Sequence, residues 1–123
     1  MSSTFINFTN HPSSHWSEEQ MEAARQYGDI VDISFPVVDP AAGPEEIALM
    51  ADASVEKILQ FEKPTVLVQG EFTMTFAVVT RLKTKGIRVL AACSERDTEE
   101  TTSEDGIAYK KSVFRFRRFR EYV

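Results

Sequence analysis

The chain has 123 residues, 42% of them hydrophobic, which suits one domain (residues 1–123) with a core that needs no disulfide or metal. Cys93 is the only cysteine, so an intramolecular disulfide is excluded and a reducing cytoplasm is the expected location. No apolar run reaches the roughly 18 residues of a membrane span, and the first residues lack a signal-peptide pattern, so we predict no membrane partner.

The net charge of −5 is unevenly distributed. Residues 1–80 hold 3 Lys/Arg and 12 Asp/Glu, whereas residues 81–123 hold 11 and 7. Non-specific binding to long nucleic acid needs a broad basic face, so we do not expect that partner. A small anion held in a local basic pocket remains compatible with this charge distribution.

The first 35 residues predict a strand, a helix and a second strand. Residues 4–9 are rich in β formers, and residues 10–14 break the strand. Ser17 is a helix N-cap with Gln20 at the capping-box position, and the predicted helix continues to about Tyr27. Residues 29–35 predict the second strand.

Two further helix–strand units follow. Pro44 suits a first helical turn, and the apolar residues after it recur at helical spacing: Ile47, Met50, Ala51, Val55, Ile58 and Phe61. Residues 65–69 are a nearly continuous apolar run, typical of a central parallel strand. A third helix follows Glu71, with one predicted apolar stripe formed by Phe72, Phe76, Val79 and Leu82.

The last third of the chain predicts a hairpin. Residues 87–93 predict a fourth strand, residues 97–106 are acidic and turn-forming, and residues 107–116 predict an antiparallel fifth strand. This order of elements favours a Rossmann-like three-layer α/β domain, with a mainly parallel sheet of order 2-1-3-4 and an antiparallel C-terminal edge strand. Strands one and three are then neighbours whose chains leave toward opposite faces, and ligands bind at the carboxyl ends of such strands.

The loop after strand one carries the first group of candidate site residues, namely Asn10, His11, Ser13 and Ser14. Together with the helix N-terminus that follows, they suit a phosphate and an acid–base step on a neighbouring hydroxyl. The alternative is that they are ordinary turn residues with a surface histidine.

The loop after strand three carries the second group: Gln69, Gly70, Glu71 and Thr73. Gly70 permits close backbone approach, and Glu71 is suited to accept from a ribose hydroxyl or to act in acid–base catalysis. Alternatively, Glu71 is only an acidic residue favoured at a helix N-terminus. There is no dinucleotide fingerprint and no P-loop, so we predict no cofactor.

The fourth strand and the C-terminal strand offer further candidates. Ser94 and Arg96 follow strand four, where Arg96 suits bidentate phosphate binding or an exposed ion pair. The alternation of Arg and Phe over residues 114–120 is typical either of a base-stacking surface or of an edge strand that buries Phe and exposes Arg. The two histidines, His11 and His15, have no third ligand nearby, so we predict no metal site.

Short motifs along nearly the whole chain resemble small stand-alone CRISPR-associated Rossmann-like proteins, which are related to the CARF sensor domains of type III CRISPR defence. These motifs lie at residues 7–13, 16–20, 35–36, 69–73, 94–96 and 114–121. Members of this group bind cyclic oligoadenylates, and some cleave them as metal-independent ring nucleases. The resemblance implies a homodimer with the ligand on its two-fold axis.

The resemblance therefore implies that this chain binds a cyclic oligoadenylate, cyclic tetra-adenylate above all, and cleaves it. His11, Ser13 and Glu71 are then the catalytic candidates. The ligand-binding candidates are Asn10, Ser14, Gln69, Gly70, Thr73, Ser94 and Arg96. Two alternatives stay open: a protein that sequesters the messenger without cleaving it, and an interaction module without a small-molecule site.

Overall fold

The computed structural model describes residues 2–123; Met1, the first residue of the predicted domain, lies outside them. The strands are β1 (Thr4–Phe8), β2 (Asp29–Asp32), β3 (Pro64–Val68), β4 (Arg88–Thr102) and β5 (Ala108–Glu121). The helices are α1 (Glu18–Arg25), α2 (Pro44–Ile58) and α3 (Phe72–Thr84), and a 3-10 turn spans Ser13–His15. None of the helices in residues 2–123 has the length and apolar character needed to cross a membrane.

The strands form one sheet in the order β2-β1-β3-β4-β5. The first four are mutually parallel, and β5 runs antiparallel to β4 at the edge. The structure thus confirms a mixed α/β domain with a mainly parallel sheet and an antiparallel edge. Because β1 and β3 are parallel neighbours with Phe8 opposite Val68, their carboxyl ends lie side by side.

Helices cover both faces of the sheet because strand side chains alternate between two cores. On one face, Ile6, Val66 and Val68 pack in a cluster with apolar residues of α2 and α3. On the other, Phe5 and Leu67 pack with residues of α1 and β5. The predicted start of α1 is correct: Ser17 Oγ accepts from the Gln20 backbone N–H at 3.2 Å.

The predicted apolar stripe of α3 is partly wrong. Its buried residues are Met74, Val78, Val79 and Leu82, whereas Phe72 and Phe76 are 90% and 71% exposed. Both sets recur at helical spacing, and packing against β3 and α2 selects the first. The two rings consequently lie on the outer surface of the helix.

The hairpin also differs from the prediction, because the acidic segment assigned to a turn is largely strand. β4 continues to Thr102, and the turn is confined to the residues that follow it. Acidic residues of β4 lie across from basic residues of β5: Glu95 pairs with Arg115 and Glu100 with Lys110 in the strand register. Opposite charges on facing strands stabilise this extension, which pairs with no other strand in the described chain beyond Leu90.

Candidate active site at the carboxyl edge of the sheet

A cavity of about 860 Å³ opens on the α1 face of the sheet, beside the carboxyl ends of β1 and β3 and the first half of β4. It is lined there by Thr9, Leu67, Gln69, Ala92 and Ser94. One wall comes from the segment that leads into α1 and from its first turn, and the opposite wall comes from β5. The site thus lies where the topology places it, at the ends of neighbouring parallel strands.

A buried asparagine fixes the loop that carries His11. Asn7 is 1% exposed, and its amide nitrogen donates to the His11 carbonyl at 2.8 Å and to Asp32 at 2.9 Å. The Thr9 hydroxyl donates to the Asn7 carbonyl oxygen at 2.8 Å and accepts from the His11 N–H at 3.1 Å. The Ser13 hydroxyl donates to Asp32 at 2.9 Å. These bonds tie the loop to β1 and β2.

Two imidazoles reach the cavity from this loop. His11 and His15 both line it, although only His11 is among the predicted site residues. Both side chains are exposed, and neither has a hydrogen-bond partner among residues 2–123. A neutral imidazole has one N–H donor and one acceptor nitrogen, so either side chain can form hydrogen bonds with a bound group.

Aromatic rings form a continuous path from the core to the cavity wall. Phe119 lies 5.1 Å from Phe5 and 4.9 Å from Phe116, measured between ring centroids. Trp16 packs near Phe5 and Phe119 and, like Phe116, lines the cavity. Aromatic rings that line a cavity are suitable for stacking a nucleobase on a ring face.

A β-bulge in β5 places Phe116 and Phe119 on the same face of the sheet. Phe119 pairs with Ala92 and Phe116 pairs with Ser94, so β5 has one residue more than β4 between these pairs. Side chains alternate along a strand, and residues three apart would ordinarily point to opposite faces. The bulge at Arg117 cancels that offset and lets both rings pack on the α1 face.

The wall from β5 also carries two guanidinium groups, each paired with a carboxylate of β4. Arg115 Nε donates to Asp97 at 2.7 Å, and Arg117 donates to Glu95 through Nε at 2.7 Å and through Nη2. The hydrogen bond with Glu95, followed by the charges of Glu95, Asp97 and Glu19, raises the pKa of Arg117 above its ordinary value. All of these groups remain accessible to solvent, so a phosphate can compete with the carboxylates.

The loop after β3 contributes less to the cavity than predicted. Gln69 lines it and accepts from the Ala92 N–H at 2.6 Å, which links β3 to β4. Gly70 packs under the Phe35 ring, and a Cβ atom there would lie 2.5 Å from ring carbons. The glycine therefore leaves room for Phe35.

Glu71 and Thr73 are engaged at the start of α3. The Glu71 carboxylate accepts from the Met74 N–H at 2.8 Å and from the Thr73 hydroxyl. The bond from Thr73 and the bond from Met74 lower the pKa of Glu71. The alternative interpretation of Glu71, as a residue favoured by the helix N-terminus, describes this arrangement.

Three of the predicted site residues, His11, Gln69 and Ser94, meet at the cavity. The others lie elsewhere in the described chain: Asn10, Ser13, Ser14, Gly70, Glu71, Thr73 and Arg96. Asn10 lines a small pocket beside Asp32, and Arg96 donates to the Ser112 hydroxyl at 3.2 Å. Trp16 is not among the predicted site residues, and its place on the cavity wall depends on its packing against Phe5.

Comparison with known proteins adds the family. The sequence profile described as the Uncharacterized protein MJ1673 family matches residues 3–120. The chain belongs to this family. A search among curated proteins finds no match. The match covers the strands and helices described above, except for the last residue of β5.

Proposed function

We propose that this chain binds a cyclic oligoadenylate, cyclic tetra-adenylate in the first place, in the cavity at the carboxyl edge of the sheet. The observation that carries the proposal is that aromatic rings, imidazoles and guanidinium groups line one cavity of about 860 Å³. Adenine stacks on aromatic faces, and phosphodiesters accept from guanidinium and imidazole N–H groups. The resemblance to CRISPR-associated Rossmann-like proteins supports the same ligand.

The proposal includes a fold of the Rossmann-like three-layer type, because α1 lies against one core and α2 and α3 against the other. It also includes a homodimer and a cytoplasmic location, since the lone Cys93 suits a reducing compartment. The acidic groups Glu19 and Glu95 near the site oppose an anionic ligand. Binding therefore requires that phosphates replace carboxylates as partners of Arg115 and Arg117.

Cleavage follows from in-line geometry. The ribose 2′-hydroxyl oxygen attacks the adjacent phosphorus, the 5′-oxygen leaves, and the products are a 2′,3′-cyclic phosphate and a 5′-hydroxyl. His11 accepts the 2′-hydroxyl proton or returns one to the leaving oxygen. Arg115 or Arg117 stabilises the charge on the phosphoryl oxygens. Ser13 and Glu71 are less suited to these roles, because their side chains are bonded to Asp32 and to the first turn of α3.

One observation favours sequestration without cleavage as the second candidate. No residue in the described chain orients the His11 or His15 imidazole through a hydrogen bond. A general base is ordinarily held in place by a third group, and a binding surface has no such requirement. In this second candidate function, the chain binds the same ligand in the same cavity but does not catalyse the proton transfer.

Incubation of the purified protein with cyclic tetra-adenylate, followed by chromatography of the nucleotides, tests these functions. Linear products support the ring nuclease, and a retained intact ring supports sequestration. Absence of both contradicts the proposal and leaves the interaction module. Phe114→Ala should weaken binding because Phe114 lines the cavity, and its 69% exposure makes unfolding of the variant a minor concern.

An arginine pair provides the matched control. Arg117→Ala should weaken binding more than Arg120→Ala, because Arg117 lines the cavity and Arg120 does not. Arg96→Ala, which the sequence analysis favoured, should resemble Arg120→Ala, since Arg96 does not line the cavity. Equal losses for all three variants, measured by calorimetry, would assign the effect to overall charge and not to this site.

A further inference from the structure

The outer surface of α2 and α3 exposes an apolar face that neither core uses. Phe72 and Phe76, one helical turn apart, are 90% and 71% exposed. Beside them a groove of about 450 Å³ runs between the two helices, with Ile47, Ala48 and Ala77 among its walls. A soluble protein seldom leaves such a continuous patch in water unless a partner covers it.

We propose that a second copy of this chain covers the face, with the two α3 helices antiparallel about a two-fold axis at the level of Val78. A two-fold interface requires that the same surface be complementary to itself. Positions at equal distances from residue 78 then face each other, so that Phe76 meets Thr80 and Phe72 meets Thr84 of the other copy. This pairing places each ring against a threonine.

The two threonines present methyl groups to the rings. The Thr80 hydroxyl donates to the Phe76 carbonyl, and the Thr84 hydroxyl donates to the Thr80 carbonyl, each at 2.9 Å. Because both hydroxyls are satisfied within the helix, their burial leaves no donor unpaired. The exposed stripe formed by Phe72, Phe76, Thr80 and Thr84 is therefore apolar along its length.

The charges at the ends of α3 complement each other in the same arrangement. Glu71 caps the helix at one end, and Lys85 caps it at the other. These two residues are also equidistant from residue 78, so each carboxylate faces an ammonium of the second copy. Between them, Asp52 and Arg81 neutralise each other at 2.7 Å. A parallel arrangement would instead bring like charges together.

The apolar area of this face is large enough to contribute much of a stable dimer interface. A buried aromatic ring removes about 150–250 Å² from water, and the four rings of a symmetric interface supply roughly half of a typical 1,600 Å² interface. The groove walls supply more. On β5 the exposed rings are Phe114 and Tyr109, but Phe114 belongs to the ligand cavity, Phe119 is buried and Phe116 packs against Phe119.

This interface lies on the face of the sheet opposite the ligand cavity, because its helices pack on the other core. Each copy therefore keeps its own cavity, in contrast to a ligand shared on the two-fold axis. The dimer does not depend on the proposed ligand. Its test needs only the oligomeric state.

Sedimentation of the wild type at micromolar concentration should give a dimer of 13.9 kDa chains. Phe76→Arg should give a monomer, while Phe114→Arg, a similar change at an exposed ring of β5, should leave the dimer intact. Lys85→Glu should raise the dimer dissociation constant several-fold, and more at low ionic strength, because it faces Glu71. A monomeric wild type, or a dimer that Phe76→Arg leaves intact, would overturn the proposal.

Cross-linking provides a second readout that does not depend on folding of the arginine variant. In a Cys93→Ser background, a mixture of Phe76→Cys and Thr80→Cys chains should form a disulfide between chains on oxidation. A control mixture of Leu59→Cys and Thr80→Cys chains should not, since Leu59 lies past the end of α2. Equal cross-linking in both mixtures would also overturn the proposal.

Discussion

At the scale of single residues, His11 is the clearest candidate for proton transfer in the proposed reaction. Its side chain contributes little to holding the structure together. Its backbone is held by Asn7 and Thr9, whereas its side chain is exposed and lines the cavity. Substitution should therefore change the chemistry of the site and leave the loop in place. Asn7 has the opposite character, because it is buried and its amide joins the loop to β2.

If the protein cleaves cyclic tetra-adenylate, His11→Ala should slow single-turnover cleavage by about 100-fold or more, the usual scale for loss of a general acid or base. Its affinity for the intact ring should fall far less, because the aromatic rings and guanidinium groups of the cavity remain. His15→Ala removes the other imidazole of the same cavity and is the matched control, which should retain cleavage. A loss of affinity as large as the loss of rate would make His11 a binding residue, and unchanged cleavage would place the proton transfer elsewhere.

The atoms around Gly70 show that a glycine is needed there for packing. A Cβ atom would lie 2.5 Å from the Phe35 ring, which itself packs on Phe8 at 5.1 Å. Gly70→Ala should lower the free energy of unfolding by about 1–3 kcal/mol, as overpacking commonly does. Urea unfolding measures the loss, and Phe35→Leu in the same chain should recover part of it. Gly43→Ala, with open space at Cβ, should cost less.

At the scale of elements, the N-terminus of α3 illustrates how local bonding decides the role of a residue. Glu71 accepts from Met74 and Thr73, and those bonds lower its pKa. Lowering of a carboxyl pKa on folding stabilises the protein above the ordinary carboxyl range, and the contribution is lost as the pH falls through the folded-state pKa. The stabilisation that the Glu71 cap provides therefore decreases at acidic pH.

Glu71→Gln should lower the thermal midpoint at neutral pH relative to the wild type, because the charge-assisted bonds are weakened. The difference should shrink as the pH falls through the lowered folded-state pKa of Glu71, where the wild-type carboxylate becomes protonated. Glu62→Gln, at an exposed position, is the control and should show no such convergence. A pH-independent difference would mean that charge has no part in the cap.

The phenylalanines of β5 differ in burial, and the buried one has the structural role. Phe119 is 6% exposed and contacts Phe5 and Trp16, whereas Phe114 is 69% exposed. Phe119→Ala should therefore cost about 3–5 kcal/mol of unfolding free energy, the range for a buried aromatic ring. Phe114→Ala should stay within about 0.5 kcal/mol, as surface substitutions do. Similar losses in urea unfolding would contradict the assigned register.

At the scale of the whole molecule, the acidic and basic parts of the sequence meet across the cavity. The wall from α1 includes Glu19, and the wall from β5 includes Arg115 and Arg117. The net charge of −5 repels a polyanion at a distance, while the guanidinium groups attract it at short range. Salt weakens both the repulsion and the attraction. We expect the short-range attraction to decide whether the affinity rises or falls with ionic strength.

The affinity for cyclic tetra-adenylate should accordingly fall as ionic strength rises, since salt screens the attraction of the phosphates to Arg115 and Arg117. The affinity for neutral adenosine should change little, because only stacking on the aromatic wall contributes. Calorimetry at low and high salt measures both. Tighter binding of the tetranucleotide at high salt would show that repulsion by the net charge dominates and that the guanidinium groups do not hold the phosphates.

Much of the fold could be predicted because it depends on local patterns. The Ser17 cap, the helical spacing in α2 and the apolar run of β3 each report a preference that neighbouring residues establish within one turn or one strand. Alternation of helices and strands then confines the sheet to a mainly parallel one with an antiparallel edge. His11, Gln69 and Ser94 followed as site candidates, because strand ends converge in such a sheet.

The other features of the fold and of the site were decided by tertiary structure alone. Each of them depends on contacts between residues that are far apart in the sequence. The helical spacing of Phe72 and Phe76 equals that of Met74 and Val78, and only packing on the sheet separates the buried pair from the exposed one. Gly70 is required by Phe35, which lies 35 residues away in sequence. The acidic part of β4 becomes strand because basic residues of β5 lie opposite, and one extra residue at Arg117 brings Phe116 to the cavity.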